Sequence, residues 1–540
     1  MNRDADVLIV GGGLAGLTCA LQLRHSAPDL AVRVLERRRH PAPAAIHKVG
    51  ESTVEIAAHY FGAVLGLAAH LDAHHLRKFG FRFFHSDGRD DFDRVQEIGV
   101  SRYLAVPTYQ IDRGIFENFL VDHARAAGIE VETEAAVDAI ELAAAGSAGG
   151  HRVHYRRDGT AHTASARWLV DASGRAGLLR RQLDLGEPNG HDVNAVWFRV
   201  PLRIDVEAWS CDGAWLGRCE AGQRWRSTNH LVGDGYWVWL IPLSSGYHSV
   251  GIVADARAHP LEAMSTFERA MRWLRVHQPR LARAIDDSGA APADFALLRR
   301  FSYGCRTLFS ADRWALTGEA GAFLDPFYSP GSDFIAIANT YIADLVTRDR
   351  CGEPLAARAE LYDALFRSFY DSTLALFRGL YGIFGDPEVL ASKVIWDYAF
   401  YWGVLCQLFF QGRLTDVAML GRVREPMRHT RELNEALQGF FLAWSRVSPR
   451  RNPAQLLDQA GLPWFDRLNR ELAPRLDDAA FVERIAQCVA QLERLAAEIV
   501  GRVIAEQPAA AAWPESTRVL ALAGRGADAA GGMLAYPLSA

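Results

Sequence analysis

The chain has 540 residues, of which 49% are hydrophobic and 23% charged, and its formal net charge is -5. That length is too great for one core and fits two or three domains of a globular protein. Nothing in that charge balance suggests nucleic acid or an anionic membrane surface as partner, since both require a basic face.

The chain opens on an apolar strand, Asp6-Val7-Leu8-Ile9-Val10, which leaves no room for a signal peptide. It runs into Gly11-Gly12-Gly13-Leu14-Ala15-Gly16, a GxGxxG turn at the start of a helix, and Glu36 then Arg37 close the next strand. Such a turn lets backbone approach a pyrophosphate, and the helix N-terminus offers free N–H groups and a positive dipole end to it. An acid at the end of the second strand can accept hydrogen bonds from ribose hydroxyls. The bland alternative is a glycine turn that only packs. The strand, helix and acid in the right order favour a dinucleotide site.

Residues 50–110 read as mixed helix and loop. A helix from about Ile115 leads to a strand at Ile129-Glu130-Val131-Glu132, and 143–150 is a Gly/Ala/Ser turn. Leu169-Val170-Asp171-Ala172-Ser173-Gly174-Arg175 is an apolar strand ending in a small-residue turn. Residues 190–255 alternate with period two and predict antiparallel strands. From about 333 to 505 the pattern is helical. Val394 to Phe410 is very apolar but holds Asp397 and many aromatics, so it predicts a core helix and not a membrane span. The predicted domains are a dinucleotide fold at 1–185 and 300–350, an inserted sheet at 186–299, a helical region at 351–505 and a loosely held tail at 506–540. The seven cysteines form no CxxC pair, which fits reduced thiols in a cytoplasmic protein.

Basic residues are almost all arginine: the only lysines are Lys48, Lys78 and Lys393. A position that keeps lysine in this background is a candidate for needing an amine. Lys78 sits in Arg77-Lys78-Phe79-Gly80-Phe81-Arg82-Phe83, and Lys48 precedes Gly50-Glu51-Ser52. Trp237-Val238-Trp239-Leu240-Ile241-Pro242 places two tryptophans on one strand face, which core packing alone also explains. Phe323-Leu324-Asp325-Pro326-Phe327-Tyr328-Ser329-Pro330-Gly331 reads as a turn that starts a helix. Further segments are Tyr109-Gln110-Ile111-Asp112-Arg113 ahead of a helix, and Thr317-Gly318-Glu319-Ala320-Gly321.

In these segments the chain resembles the FAD-binding aromatic hydroxylases. In the WxWxIP strand, the FxxPxxSxG turn and the Gly50-Glu51-Ser52/Lys78 pair it resembles the flavin-dependent halogenases, over most of residues 1–350. The resemblance implies an α/β fold: a Rossmann-type (GR2, aromatic-hydroxylase-like) FAD domain with an inserted antiparallel β-sheet substrate domain and a helical C-terminal region. It implies FAD contacts from Gly11, Gly13, Leu14, Ala15, Gly16, Glu36, Arg37, Lys48, Gly50, Ser52, Arg113, Asp171, Gly174, Gly318, Glu319, Pro326 and Gly331. Trp237, Trp239, Ser329, Gly331 and Ser332 fall at the substrate or halide.

The implied activity is halogenation by a two-component enzyme. FADH2 comes from a separate NAD(P)H-dependent flavin reductase, since no second GxGxxG-plus-acid unit occurs. Reduced flavin, O2 and bromide or chloride give hypohalous acid, which Lys78 orients toward an electron-rich indole, phenol or pyrrole, free or carrier-tethered. Arginine cannot readily lose its proton to do the same, and apolar surroundings favour a neutral amine. Glu51 is the candidate to take the ring proton, with Glu55 and His59 as alternatives. Aromatics of the helical region, Trp396, Tyr398, Phe400, Tyr401, Trp402, Phe409 and Phe410, supply part of the pocket or simply pack. No metal, nucleic acid or membrane is expected, and the chain is a monomer or homodimer.

Three departures qualify the match. Tyr328 replaces the glutamate of tryptophan halogenases, which disfavours tryptophan as substrate. Glu319 stands where the class has aspartate. Pro330 lacks an N–H at an expected halide-binding position. A lost hydrogen bond to a charged group costs about 1.5–3 kcal/mol, so bromide is expected to be favoured over the more strongly hydrated chloride. The rivals are an FAD monooxygenase or oxidoreductase of an aromatic, polyene or isoprenoid substrate, which Pro330 favours, and a non-catalytic FAD-binding scaffold.

Overall fold

A computed structural model describes residues 4–43, 48, 50–144, 149–524 and 532–534. Residues 145–148 of the turn expected at 143–150, and 525–531 and 535–540 of the expected tail, lie outside the described residues. The chain forms two compact units, one from residues 1–75, 111–190 and 302–370, the other from 76–110, 191–301 and 371–540.

The first unit is built on a seven-stranded sheet. Ala5–Val10 pairs parallel with Val32–Glu36 on one side and with the end of Thr160–Asp171 on the other, and Trp314–Leu316 extends that side in parallel. Near-continuous apolar runs suit parallel strands, because helices cover both faces. Val7, Ile9, Val34 and Val170 are accordingly fully buried. Thr160–Asp171 changes partners midway: its first half pairs antiparallel with His151–Arg157. Helices Leu14–Ser26 and Gly331–Arg350 are joined by Asn339, which donates to Thr18 Oγ1 and Tyr60 Oη at 3.1 Å each and accepts from Thr317 Oγ1 at 2.7 Å. That buried junction holds the Thr317-Gly318 turn against the first helix.

The second unit is built on an eight-stranded sheet in the order Asp294–Leu298, Val193–Val200, His248–Asp255, Tyr236–Pro242, Thr228–Gly233, Phe81–Phe84, Glu97–Gly99, Leu456–Asp458. One face carries Val196, Phe198, Leu231, Val238, Leu240, Val250 and Ile252 into an apolar core with Met271, Leu274 and Leu281 of the helices Phe267–His277 and Pro279–Ser288. The period-two alternation sends the intervening residues, Trp197, His230, Trp237 and Trp239 among them, to the opposite face. A largely buried ion cluster braces the strand after Lys78. Arg82 and Arg224 both bind Glu97, and Arg224 also reaches Glu207 at 3.2 Å.

Three expectations about organisation are corrected. Residues 76–110 join the second unit, because Phe81–Phe84 pairs with Thr228–Gly233 and Glu97–Gly99. A four-residue strand gives too short a local pattern to identify without its partners. Within 186–299 the strands pair antiparallel as expected, and Phe81–Phe84 joins that sheet in parallel on Thr228–Gly233, as Leu456–Asp458 does on Glu97–Gly99. The helical region from 371 onward lies in the same unit as this sheet. Within the expected tail, Pro514–Ala523 is a helix that buries Ser516, Val519 and Ala523.

The apolar stretch expected as core does form buried helix, Pro387–Phe400, capped by Asp386, which accepts from the Glu388 and Val389 amides. A π-helical turn, Tyr401–Cys406, follows. Among the described residues no single helix is long and apolar enough to cross a membrane.

Candidate functional site

The glycine turn stands between two parallel strand ends in the first unit. A Cβ on Gly16 would lie 1.9 Å from Gly11 O, so only glycine lets the helix start this close to the turn. No side chain caps the first turn of helix Leu14–Ser26. A Cβ placed on Gly13 would have one described heavy atom within 4 Å, Lys48 Nζ at 3.8 Å. An uncapped helix start, open space and one amine fit a pyrophosphate.

Glu36 is buried and accepts from Gly12 N at 2.6 Å and Arg38 N at 2.7 Å. Each oxygen keeps a further lone pair for ribose hydroxyls. Arg37 beside it is exposed.

Lys48 is held by Glu117, which sits on helix Arg113–Ala126 and also accepts from Arg113 Nη2 at 2.6 Å. Burial opposes ionisation of Glu117, but the Arg113 guanidinium and the Lys48 ammonium outweigh it and hold the carboxyl below its usual range. Gly50 packs on Arg113, whose Nη1 lies 2.7 Å from a Cβ placed there. Lys48, Gly50 and Arg113, far apart in the chain, therefore share one cluster. Glu117 was not anticipated, although its i,i+4 spacing from Arg113 carries the signal.

The Gly318-Glu319 turn meets the first helix directly: a Cβ on Gly318 would lie 2.9 Å from Ala15 Cβ. Burial pushes the Glu319 carboxyl up, against the pull of Arg175, Arg113 and Lys48. Arg175 reaches Glu319 only at 4.0 Å. Tyr303 donates to Glu319 O at 2.6 Å and carries the Arg180 guanidinium 3.8 Å from its ring centroid. Arg180 and Tyr303 were not anticipated, because nothing local in sequence ties them to the turn.

Asp171 is fully buried and accepts from the amides of Ser173 and Leu179, at 2.9 and 2.8 Å, and so shapes the Gly174 turn from within.

The Pro326 to Pro330 turn precedes the 20-residue helix Gly331–Arg350, with Pro330 at its N-cap and Ser329 at φ 53°. Ser329 N donates to Pro326 O at 2.9 Å. Space beside Gly331 is open, and the amides of Gly331 and Ser332 lie in the first helical turn, where N–H groups have no intrahelical partner. Glu51 and Ser52 are buried in the same unit, and Glu51 O accepts from Ile111 N at 2.6 Å.

Lys78 belongs to the second unit. Its side chain is 4% exposed, its amide donates to Thr108 O at 2.8 Å, and Nζ lies 3.3 Å from the centroid of the Phe81 ring. Phe79 N bonds Arg226 O at 3.1 Å and Phe79 O accepts from Ser227 Oγ at 2.8 Å, so the backbone on the C-terminal side of the lysine is clamped as well. The aromatic face attracts an ammonium and so opposes the desolvation expected to neutralise it.

Trp237 and Trp239 lie on the aromatic face of the same sheet. Their indoles donate to Tyr381 Oη at 3.0 Å and Ser249 Oγ at 3.1 Å. Trp239 lies flat across Gly251, where a Cβ would meet its ring at 2.1 Å. His230 connects the two parts: its ring lies 5.2 Å from Phe81, 4.8 Å from Phe83 and 5.2 Å from Trp237. Of the helical aromatics, Tyr398 reaches Phe81 at 6.0 Å, whereas Trp396 bonds Asn434 inside the helix packing.

Residues 4–248 match the family model described as FAD binding domain. The chain is 24% identical over 433 residues to the flavin-dependent halogenase chlA of Dictyostelium discoideum, covering 74% of this chain and 70% of that one. It is 27% identical over 350 residues to the 1H-pyrrole-2-carbonyl-(peptidyl-carrier protein) chlorinase of Pseudomonas fluorescens, covering 61% and 73%. In fold it is similar to the halogenase PltM crystallised with phloroglucinol and FAD, with a TM-score of 0.65 at 18% identity over 96% of this chain and 99% of that one.

Proposed function

We infer that this chain, which belongs with the flavin-dependent halogenases, is an FAD-dependent halogenating enzyme that delivers oxidised halogen to an electron-rich aromatic through Lys78. The observation that carries the role of Lys78 is its buried amine on the Phe81 ring, in a chain with only three lysines.

When bound, reduced FAD supplies the electrons with which O2 oxidises halide to hypohalous acid. The uncapped helix start at Gly13 and the Lys48 amine hold its pyrophosphate, and Glu36 holds its ribose. The amides of Gly331 and Ser332 hold halide at a helix N-terminus. Lys78, as ammonium, donates a hydrogen bond to the oxygen of hypohalous acid. That makes the oxygen a better leaving group and fixes the direction in which the halogen is presented. The indoles of Trp237 and Trp239, buried on the sheet, exclude water.

The substrate class is indole, phenol or pyrrole. One relative is named for a pyrrole carried on a peptidyl carrier protein, and we extend a tethered form of the substrate to this chain. A separate flavin reductase acts as partner in the cytoplasm.

The test is incubation with FAD, a flavin reductase, NADH, O2 and bromide against indole, phenol and pyrrole, read by mass spectrometry. A bromine isotope doublet that needs both bromide and the reductase is expected. The second reading, an FAD monooxygenase, draws on Pro330, which removes one amide from the halide turn. Oxygenated product formed equally with and without halide would establish it and remove the first.

A further inference from the structure

Replacing a ring hydrogen by an electrophilic halogen releases a proton, and a group close to the reacting ring must take it. In the second unit, the side chains packed around the Phe81 ring that carries Lys78 Nζ include a histidine. His230 lies on Thr228–Gly233, with Phe83 opposite it on one neighbouring strand and Trp239 on the other. Its ring approaches Phe81 edge-on, at 5.2 Å and 67°, and stacks on Phe83 at 4.8 Å and 19°. Phe83 thus covers one face of the imidazole. The two nitrogens lie in the ring plane and are directed away from the stack. Lys78 and His230 are 4% and 1% exposed, so both are withdrawn from solvent.

We propose that His230 is a catalytic base of this enzyme, the group that removes the proton from the ring carbon that Lys78 has helped to halogenate. The proposal rests on the halogenase reading above. The ring carbon attacks the halogen of hypohalous acid, so the carbon–halogen bond forms as the oxygen–halogen bond breaks. The departing hydroxide takes a proton from the Lys78 ammonium and leaves as water. The positively charged ring loses its proton to the neutral imidazole of His230, and its C–H electron pair restores aromaticity. The imidazolium then returns a proton to the Lys78 amine. The sum is one aromatic C–H and one hypohalous acid converted to one aromatic C–halogen bond and one water, and both side chains end as they began.

The experiment compares the wild type with His230→Phe, which keeps the stack on Phe83, and His230→Gln, which keeps a polar group. Each is assayed with FAD, a flavin reductase, NADH, O2 and bromide, on whichever of indole, phenol or pyrrole the wild type brominates and on its ring-deuterated form. Both variants are expected to bind FAD and melt like the wild type, yet to brominate about 100-fold more slowly. The ring-deuterium isotope effect should rise from near unity to a clear primary effect, because proton loss becomes rate-limiting. Added imidazole should restore part of the rate to His230→Ala. A merely structural role changes neither the isotope effect nor the response to imidazole. If one variant does not fold, the other carries the test. Wild-type rates and isotope effects in a folded variant overturn the proposal for His230 alone. A wild type that brominates none of the three substrates overturns the halogenase reading, and this proposal with it.

Discussion

The ammonium of Lys78 lies 3.3 Å from the centroid of the Phe81 ring, so the lysine is held by a contact that selects a positive charge. Lys78→Ala is expected to keep FAD binding and lose bromination by at least about 100-fold. Lys78→Arg keeps the charge, yet its planar fork spreads that charge over three nitrogens and does not give up a proton, so it should be comparably inactive. Turnover by Lys78→Arg within a few-fold of wild type would sink the role given to the amine.

Glu117 anchors both Lys48 and Arg113. Glu117→Gln removes the anion that offsets two cations and should weaken FAD binding about 10-fold, through loss of about 1.4 kcal/mol of organisation at the glycine turn. Flavin-fluorescence titration reads it. The Glu117 carboxyl is depressed when folded, so its stabilisation is present above the ordinary value of 4.5 and lost as pH falls through the folded value. The variant should therefore show a shallower loss of melting temperature in acid. Unchanged FAD affinity would remove Lys48 and Arg113 from the cofactor site.

Trp239 crosses Gly251 so closely that a methyl group there has no room. Gly251→Ala must displace the indole from the aromatic face, at a cost of about 1–3 kcal/mol. A fall in melting temperature of about 2–4 °C or more should accompany a loss of halogenation. An unchanged melting temperature would mean that the indole moves freely.

Pro330 withholds an amide at the start of helix Gly331–Arg350. Its φ of -74° is open to any residue, so Pro330→Ala restores the N–H without strain. The ratio of chloride to bromide turnover should rise about 10-fold, as one charged hydrogen bond is worth about 1.5–3 kcal/mol. Competition between the two halides in one reaction gives the ratio directly. No change would place the halide elsewhere.

His85 and His248 are fully buried, and loss of solvation pushes each imidazole down from 6.5 to about 3. The unfolded chain then binds protons that the folded chain refuses. Stability is complete above 6.5 and falls with decreasing pH down to about 3, by about 1.4 kcal/mol per pH unit for each histidine. Melting temperatures measured from pH 7 to about 5 should drop steadily, and a flat profile across that window would show that these rings protonate in place.

What the chain declares locally is the glycine turn, the acid that ends the second strand, the amphipathic alternation that puts Trp237 and Trp239 on one face, and the rarity of lysine. Each depends on the backbone period or on one side chain, and so survives without knowledge of any partner. The fate of Phe81–Phe84 does not. Its four residues are a strand only because Thr228–Gly233 and Glu97–Gly99 bond to it.

By itself, then, the sequence determined a dinucleotide turn, an aromatic strand face and a lysine among phenylalanines in an arginine-rich chain. Only the tertiary structure decided that Lys78 lies inward on Phe81, that His230 shares that ring, that Glu117 gathers Lys48 and Arg113, and that Asp171 binds the amides of its own turn. The physical reason is the range of the forces involved. Steric and periodic preferences act over a few residues, whereas ladder hydrogen bonds and buried ion pairs join segments far apart in the chain, and their register is set only when both sides fold together.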